Sequence, residues 1–342
     1  MRPLLKPALR RLWRDPGTLQ LGIDPRYAVA LGGVEVGDAG LLELLDGTRG
    51  TAELLDEASH RGYRSERVRE LLAALEDAAA LDDATTDGAD PRHHPDLLSL
   101  SLVHPEPGAA QRVMQARKRA VVEVLGAGRV GATLALLLAA AGVGQLVLGD
   151  HGPQQPADFA PGGVRGPGPH QASRAEAVSA ALGGNAPGRP ARSGARSEAA
   201  AIVVLAPTGC VLPPEWLHQV RNRTHLPVTI RETTAIIGPL VVPGRTPCLR
   251  CVELLRGDRD PVWPALAAQL VGARPETEPC DVALASAAAS IVALHVLAWL
   301  DRRGLQPPPS LGGVLELSLS DLRLRRRTVV AHPGCGCGAI DA

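Results

Sequence analysis

The sequence predicts an α/β protein: a Rossmann-like nucleotide-binding domain with a small N-terminal winged-helix-like domain. Three observations carry this expectation. Residues 121–150 read VVEVLGAGRVGATLALLLAAAGVGQLVLGD, an apolar run, a glycine turn, an Ala/Leu-rich helix and a second apolar run ending in an acid. A later run, AAIVVL at 200–205, has the continuous apolar pattern of a strand buried on both faces. Ahead of both, about 80 residues pattern as short strands followed by three amphipathic helices.

At 342 residues the chain is long enough for two domains. Its 36 basic and 36 acidic side chains cancel, so net charge favours neither nucleic acid nor an anionic membrane as a partner. The opening MRPLLKPALRRLW has no unbroken apolar core or cleavage site, so no signal peptide is expected. Residues 281–300 are apolar enough to suggest a membrane span, but Asp281, His295 and many small residues favour a buried helix. Six cysteines without a secretory signal suggest metal or thiol chemistry in a reducing cytoplasm.

In the N-terminal stretch, β-leaning runs at 18–23 and 27–31 flank Asp24-Pro25-Arg26 and predict a hairpin. Helices are expected at 39–45, 51–60 and 65–81, the last with Val68, Leu71, Leu72 and Leu75 on one face. DDATTDGADPRHHPD at 82–96 reads as a linker, with His93 and His94 solvated in it. Residues 97–103 are expected to be a strand and 109–119 a helix. The predicted division is therefore 1–82, a linker at 83–96, and a nucleotide-binding domain at 97–342.

Gly126, Gly128 and Gly131 match GxGxxG between a strand at 121–125 and a helix at 129–141, with Asp150 ending the next strand. The spacing suits a tight turn, close backbone approach to phosphate, and close packing of helix on strand. Phosphate would rest on the helix N-terminus, where Arg129 begins. A loop at 151–170, a helix at 173–182, an irregular stretch to 197 and further strands at 228–232 and 240–242 follow. Cys248 and Cys251 then form a CxxC pair, and Cys335 and Cys337 a CxC pair. Four thiolates in two pairs suit a closed tetrahedral zinc site; free or redox thiols, or His332 in place of one cysteine, are the alternatives. Cys210 and Cys280 stand apart, and Cys280 precedes a helix whose N-terminus would favour a thiolate. Two strands are expected at 313–320 and 322–330, with Arg323, Arg325 and Arg327 on one face, either solvated or receiving an acidic peptide.

The first 82 residues, through the hairpin, LLELLDGTRG and the leucine-rich helix, resemble PqqD-like leader-peptide-recognition modules. GAGRVG, the strand ending in Asp150, the basic helix and PGRTPCLRC together resemble the ThiF/MoeB family, relatives of ubiquitin-activating enzymes. The resemblance spans about 119–337 and is strongest to the branch found with ribosomal-peptide cyclodehydratases. It implies Mg-ATP-dependent adenylation of a carboxylate or amide on a small protein or ribosomal precursor peptide, with a cyclodehydratase-type partner and a homodimer. Gly126, Gly128, Arg129 and Gly131 would then line the ATP phosphates and Asp150 the ribose, and Arg174 stands where the family has a catalytic lysine. Three departures mark this chain. His151 replaces a second acid, the Asn-Arg-Gln element is missing although Arg165 lies nearby, and Leu205-Ala206-Pro207 replaces a magnesium-binding Asp. Asp158 and Glu232 are the possible substitutes. A non-catalytic peptide-binding scaffold of the same fold is the alternative; an NAD-dependent oxidoreductase leaves the cysteine pairs unexplained.

Overall fold

The computed structural model describes residues 1–34, 36–84, 90–160, 173–185, 192–193, 199–272, 277–301 and 306–339. Arg165, most of the irregular stretch before 197 and the later part of the 151–170 loop lie outside them. The chain forms two compact units, Met1–Gln115 and Ala116–Ala342.

In the first unit, β2 (Arg11–Asp15), β3 (Thr18–Leu21) and β4 (Val29–Gly32) form an antiparallel sheet in that order. The expected hairpin is β3–β4. The added strand β2 has all five residues exposed, so it lacks the alternation that marks a half-buried strand. Helices α1 (Ala39–Glu43), α2 (Thr51–His60) and α3 (Ser65–Asp77) follow. Leu19, Leu21, Leu41, Leu54, Val68, Leu71 and Leu75 share one core. The helix expected to reach 81 stops earlier. Ala79 takes a left-handed φ of 51°, and β5 (Leu81–Asp83) pairs antiparallel with β1 (Pro3–Leu5). The strand expected at 97–103 is also corrected, because His94–Val103 forms helix α4. Its leucines at 97, 98, 100 and 102 give no clean helical stripe. Helix α5 spans Ala109–Arg119.

The second unit is built on β6 (Val121–Leu125), α6 (Arg129–Ala140) and β7 (Gln145–Gly149). Next come α7 (Arg174–Asn185), β8 (Arg192–Ser193), β9 (Ile202–Leu205), α8 (Pro214–Val220), β10 (His225–Arg231) and β11 (Thr234–Ile237). The chain continues through α9 (Leu249–Arg259), α10 (Trp263–Gly272), α11 (Val282–Asp301), β12 (Gly313–Ser318) and β13 (Leu324–Thr328). Eight strands run in the order β13-β12-β11-β10-β9-β6-β7-β8. From β10 to β8 the pairing is parallel, and from β10 to β13 antiparallel. Residues 240–242, expected as a strand, make only isolated bridges through Leu240 and Val241.

The parallel strands are buried on both faces, as their unbroken apolar runs require. On one face Val122, Val124, Val204 and Leu226 meet α6, α7 and α11. On the other, Leu125, Val203 and Leu205 meet Val220, with Trp216 and Leu249 beside them. The polar Glu123 in the central strand is neutralised by Arg223, 2.5 Å away. Helix α11 is long and apolar enough to cross a membrane. Its Leu284, Ala288, Ala289, Val292 and Val296 are instead part of the main core, as the buried-helix reading expects.

Candidate functional site

The four parallel strands β10, β9, β6 and β7 end at one carboxyl edge, where ligands bind in open α/β sheets. The glycine turn sits at the centre of that edge. Gly126 adopts φ 97°, a left-handed region costly to other residues, and a Cβ there would lie 1.9 Å from the Ala206 carbonyl oxygen. A Cβ on Gly131 would come equally close, 1.9 Å, to the Gly126 carbonyl oxygen. These two glycines are thus dictated by backbone packing against β9 and α6. Gly128, the residue before α6, faces the loop after β9, with Thr208 Cγ2 2.6 Å from its Cβ position.

Asp150 holds the turn in place. Its Oδ2 accepts the Ala127 N–H at 2.8 Å and its Oδ1 the Gly152 N–H at 2.8 Å. An antiparallel bridge between Pro153 and Ser173, with the Arg174 N–H donating to Gly152 O at 2.9 Å, joins the two ends of the intervening loop. It delivers Arg174, at the start of α7, to the acids. Arg174 Nη1 lies 3.9 Å from Asp150 Oδ1, and its Nε donates to Asp158 Oδ2 at 2.7 Å. Asp158 is buried and also accepts the Gln155 N–H at 2.8 Å. Arg129 donates to the carbonyls of Ala157 and, at 2.6 Å, Cys280. The cradle therefore gathers Gly126, Gly128, Arg129, Gly131, Asp150 and Arg174. Sequence reasoning did not foresee the Arg174–Asp158 pair, because 15 residues separate them and no pattern marks the contact.

Beyond β9, Ala206 is buried and Pro207 follows, so the strand ends without a carboxylate. Asp158 is bonded to Arg174, and Glu232 occupies the β10–β11 turn with φ 46°. Glu278 lies beside this loop, its Oε1 3.2 Å from the Gly209 Cβ position. Burial, and then Glu232, raises its pKa. These residues do not assemble a magnesium site. Burial pushes the Cys280 thiol up more than Arg129 pulls it down, and burial followed by Glu278 raises Cys210. Neither thiol is shifted toward the thiolate.

The paired cysteines converge. Cys248 lies just before α9 and Cys251 in its first turn, while Cys335 and Cys337 lie on the turns after β13. Sulfur separations are 3.6 Å for Cys248–Cys335, 3.6 Å for Cys251–Cys337 and 4.0 Å for Cys248–Cys251. All four sulfurs lie within 4.8 Å of one another. Tetrahedral bonds of about 2.3 Å place sulfurs about 3.8 Å apart, so the group fits a metal of zinc's size. Partial burial, and then hydrogen bonds to the neighbouring thiols, push Cys335 up to about 12. Burial alone would raise Cys337, but the Ala339 N–H and the neighbouring thiols outweigh it and bring it down to about 7. His332 is not a ligand, since one ring nitrogen meets Asp258 at 2.9 Å and the other accepts the Gly334 N–H at 2.9 Å.

On the last hairpin, Arg325 pairs with Asp321 and Arg327 with Glu316. This is the solvated face, where exposed ion pairs contribute little.

These features define a class, a Rossmann-like sheet with a glycine turn at its carboxyl edge and a four-cysteine group. Solved structures with this fold include E. coli MccB with AMPCPP and MccA, at TM-score 0.72 and 15% identity, covering 98% of this chain and 99% of that one. The microcin C7 biosynthetic enzyme MccB with N-formylated MccA matches at 0.70 and 15%, covering 99% and 100%. PaaA matches at 0.68 and 16%, covering 94% and 98%. The chain has the ThiF-type fold of MccB. No protein-family model and no curated protein sequence matches it.

Proposed function

We propose that this chain is a ThiF/MoeB-type protein of ribosomal-peptide biosynthesis that binds ATP and activates a carboxylate or amide of a precursor peptide. One observation carries the reading: a complete glycine cradle with Asp150 and Arg174 at its rim, in the fold of MccB solved with AMPCPP and MccA. The α6 N-terminus offers free N–H groups for phosphate, and Asp150 retains lone pairs for ribose hydroxyls. Arg174 supplies positive charge, but phosphate must displace Asp158 from it. The four cysteines hold a structural zinc, which would tie the chain after β13 to α9. Residues 1–82 act as the leader-recognition module, an extended peptide adding a strand to the β2–β3–β4 sheet. The protein works in the cytoplasm beside a cyclodehydratase-type partner. Exposed Val262 beside α10, with Leu266 and Val271 on it and Leu294 on α11, supports a homodimer, which light scattering checks.

Two observations favour a second reading, the non-catalytic scaffold. β9 ends without a carboxylate, and Arg174 is already engaged by Asp158. ATP–pyrophosphate exchange with candidate precursor peptides, alongside calorimetric ATP titration, separates the two. Exchange confirms activation, ATP binding without exchange selects the scaffold, and absence of ATP binding removes the first reading.

A further inference from the structure

Two strands along the same carboxyl edge from the glycine turn, β10 ends at Arg231. Its guanidinium carbon lies 5.9 Å from the centroid of the Trp263 ring, and that of Arg256 lies 5.3 Å from the same ring. Glu253, three residues before Arg256 on α9, accepts from Arg256 Nη1 at 2.8 Å and from Trp263 Nε1 at 2.7 Å. Its carboxylate fixes the ring and one arginine. Arg231 bonds to no carboxylate or carbonyl among the described residues. Of the two guanidiniums only that of Arg256 is bonded to a carboxylate. Glu232, the residue after Arg231, acts on Arg231 through space without bonding it, so the N–H groups of Arg231 keep their hydrogen-bonding capacity in a half-buried place. Burial, and then repulsion from Arg256, lowers the pKa of Arg231, while Glu253, Cys210 and Glu232 act the other way.

A half-buried cation without a bonded partner is costly to keep, and an anion reaching it recovers that cost. The planar fork matches a carboxylate with two parallel N–H···O bonds, and stacking on the indole fixes the fork's plane beforehand. We propose that Arg231, stacked on Trp263 beside Arg256, forms a subsite for a carboxylate of the bound peptide, either an acidic side chain or the C-terminal carboxylate. The proposal rests on the peptide-binding reading above and adds where the peptide's negative charge goes.

The test titrates the full chain calorimetrically with three probes: acetyl-Gly-Gly-Gly with a free C-terminus, the same peptide amidated, and amidated acetyl-Gly-Asp-Gly. At least one carboxylate probe is expected to bind more tightly than the neutral amide, and which one does identifies the source. R231Q is expected to lose about tenfold in affinity, and R231K, which keeps charge without the fork, to recover part of it. R256Q, at the arginine already bonded to Glu253, provides a second variant, expected to weaken binding by a smaller factor. Equal affinity for all three probes, or R231Q binding as wild type does, overturns the subsite. Candidate precursor peptides keep the two ideas apart. If wild type and R231Q bind them equally, the subsite fails and peptide binding stands. If the chain binds no precursor yet prefers a carboxylate probe in an Arg231-dependent way, the subsite stands and the functional reading fails.

Discussion

The glycine cradle and the cysteine cluster are both motifs of a few residues, yet they differ in what their polar groups have left to give. At the cysteines, four sulfurs converge at metal-bridging distances. At the cradle, Asp150, Asp158, Arg129 and Arg174 already bond one another or nearby backbone. One site gathers like groups at the spacing a metal requires, and the other sets opposite charges against each other. A motif therefore locates a site without saying whether its groups are available.

The largest expected effect lies on the cysteine side of this contrast. Cys251→Ser removes a fully buried sulfur, and we expect it to lose the bound zinc and on the order of 5 kcal/mol of stability. Metal analysis and chelator-dependent melting check this. Wild type that is folded, metal-free and indifferent to chelation would erase the contrast. Next comes Gly131→Ala, whose Cβ would meet a carbonyl oxygen at 1.9 Å. A loss of about 3 kcal/mol in denaturant unfolding is expected. A neutral result would mean that the turn relaxes and that close packing does not dictate this glycine.

The cradle's self-sufficiency is tested by Asp158→Ala, which frees Arg174. ATP affinity is expected to rise roughly tenfold, about 1.4 kcal/mol. Unchanged affinity in a calorimetric titration would show that the pair does not compete with phosphate. The smallest effect belongs to neither site. Burial lowers the pKa of His225, on β10, and of His295, on α11. A histidine whose folded pKa is depressed takes its proton first in the unfolded chain, so its stabilisation is complete above about pH 6.5 and falls away below it. Each is expected to cost at most about 1.4 kcal/mol per pH unit on acidification. Melting curves between neutral and mildly acidic pH in His295→Gln should show a shallower slope than wild type. An identical slope would assign the pH dependence to other groups.

What the sequence disclosed follows from how local each feature is. The β6–α6–β7 unit was legible because an apolar run, three spaced glycines and Asp150 all lie within 30 residues of one another. The cysteine pairs were legible because zinc chemistry restricts ligand type and number. Strand β2 was hidden because RLWRD is exposed throughout, and α4 was misread because its leucines lack a single helical stripe. The Arg174–Asp158 pair and the Arg231–Trp263–Arg256 stack depend on distant segments meeting, which no local pattern encodes.

The outermost strand, β13, has a consequence of its own. Its five residues are exposed and include Arg325, Arg326 and Arg327 in succession, at the rim of an eight-stranded sheet. An unpaired rim is a template on which another chain's strand can add, and ranked like charges make that addition unfavourable. The arginines that suggested a peptide groove thus stand on the rim strand, where charged side chains disfavour edge-to-edge addition.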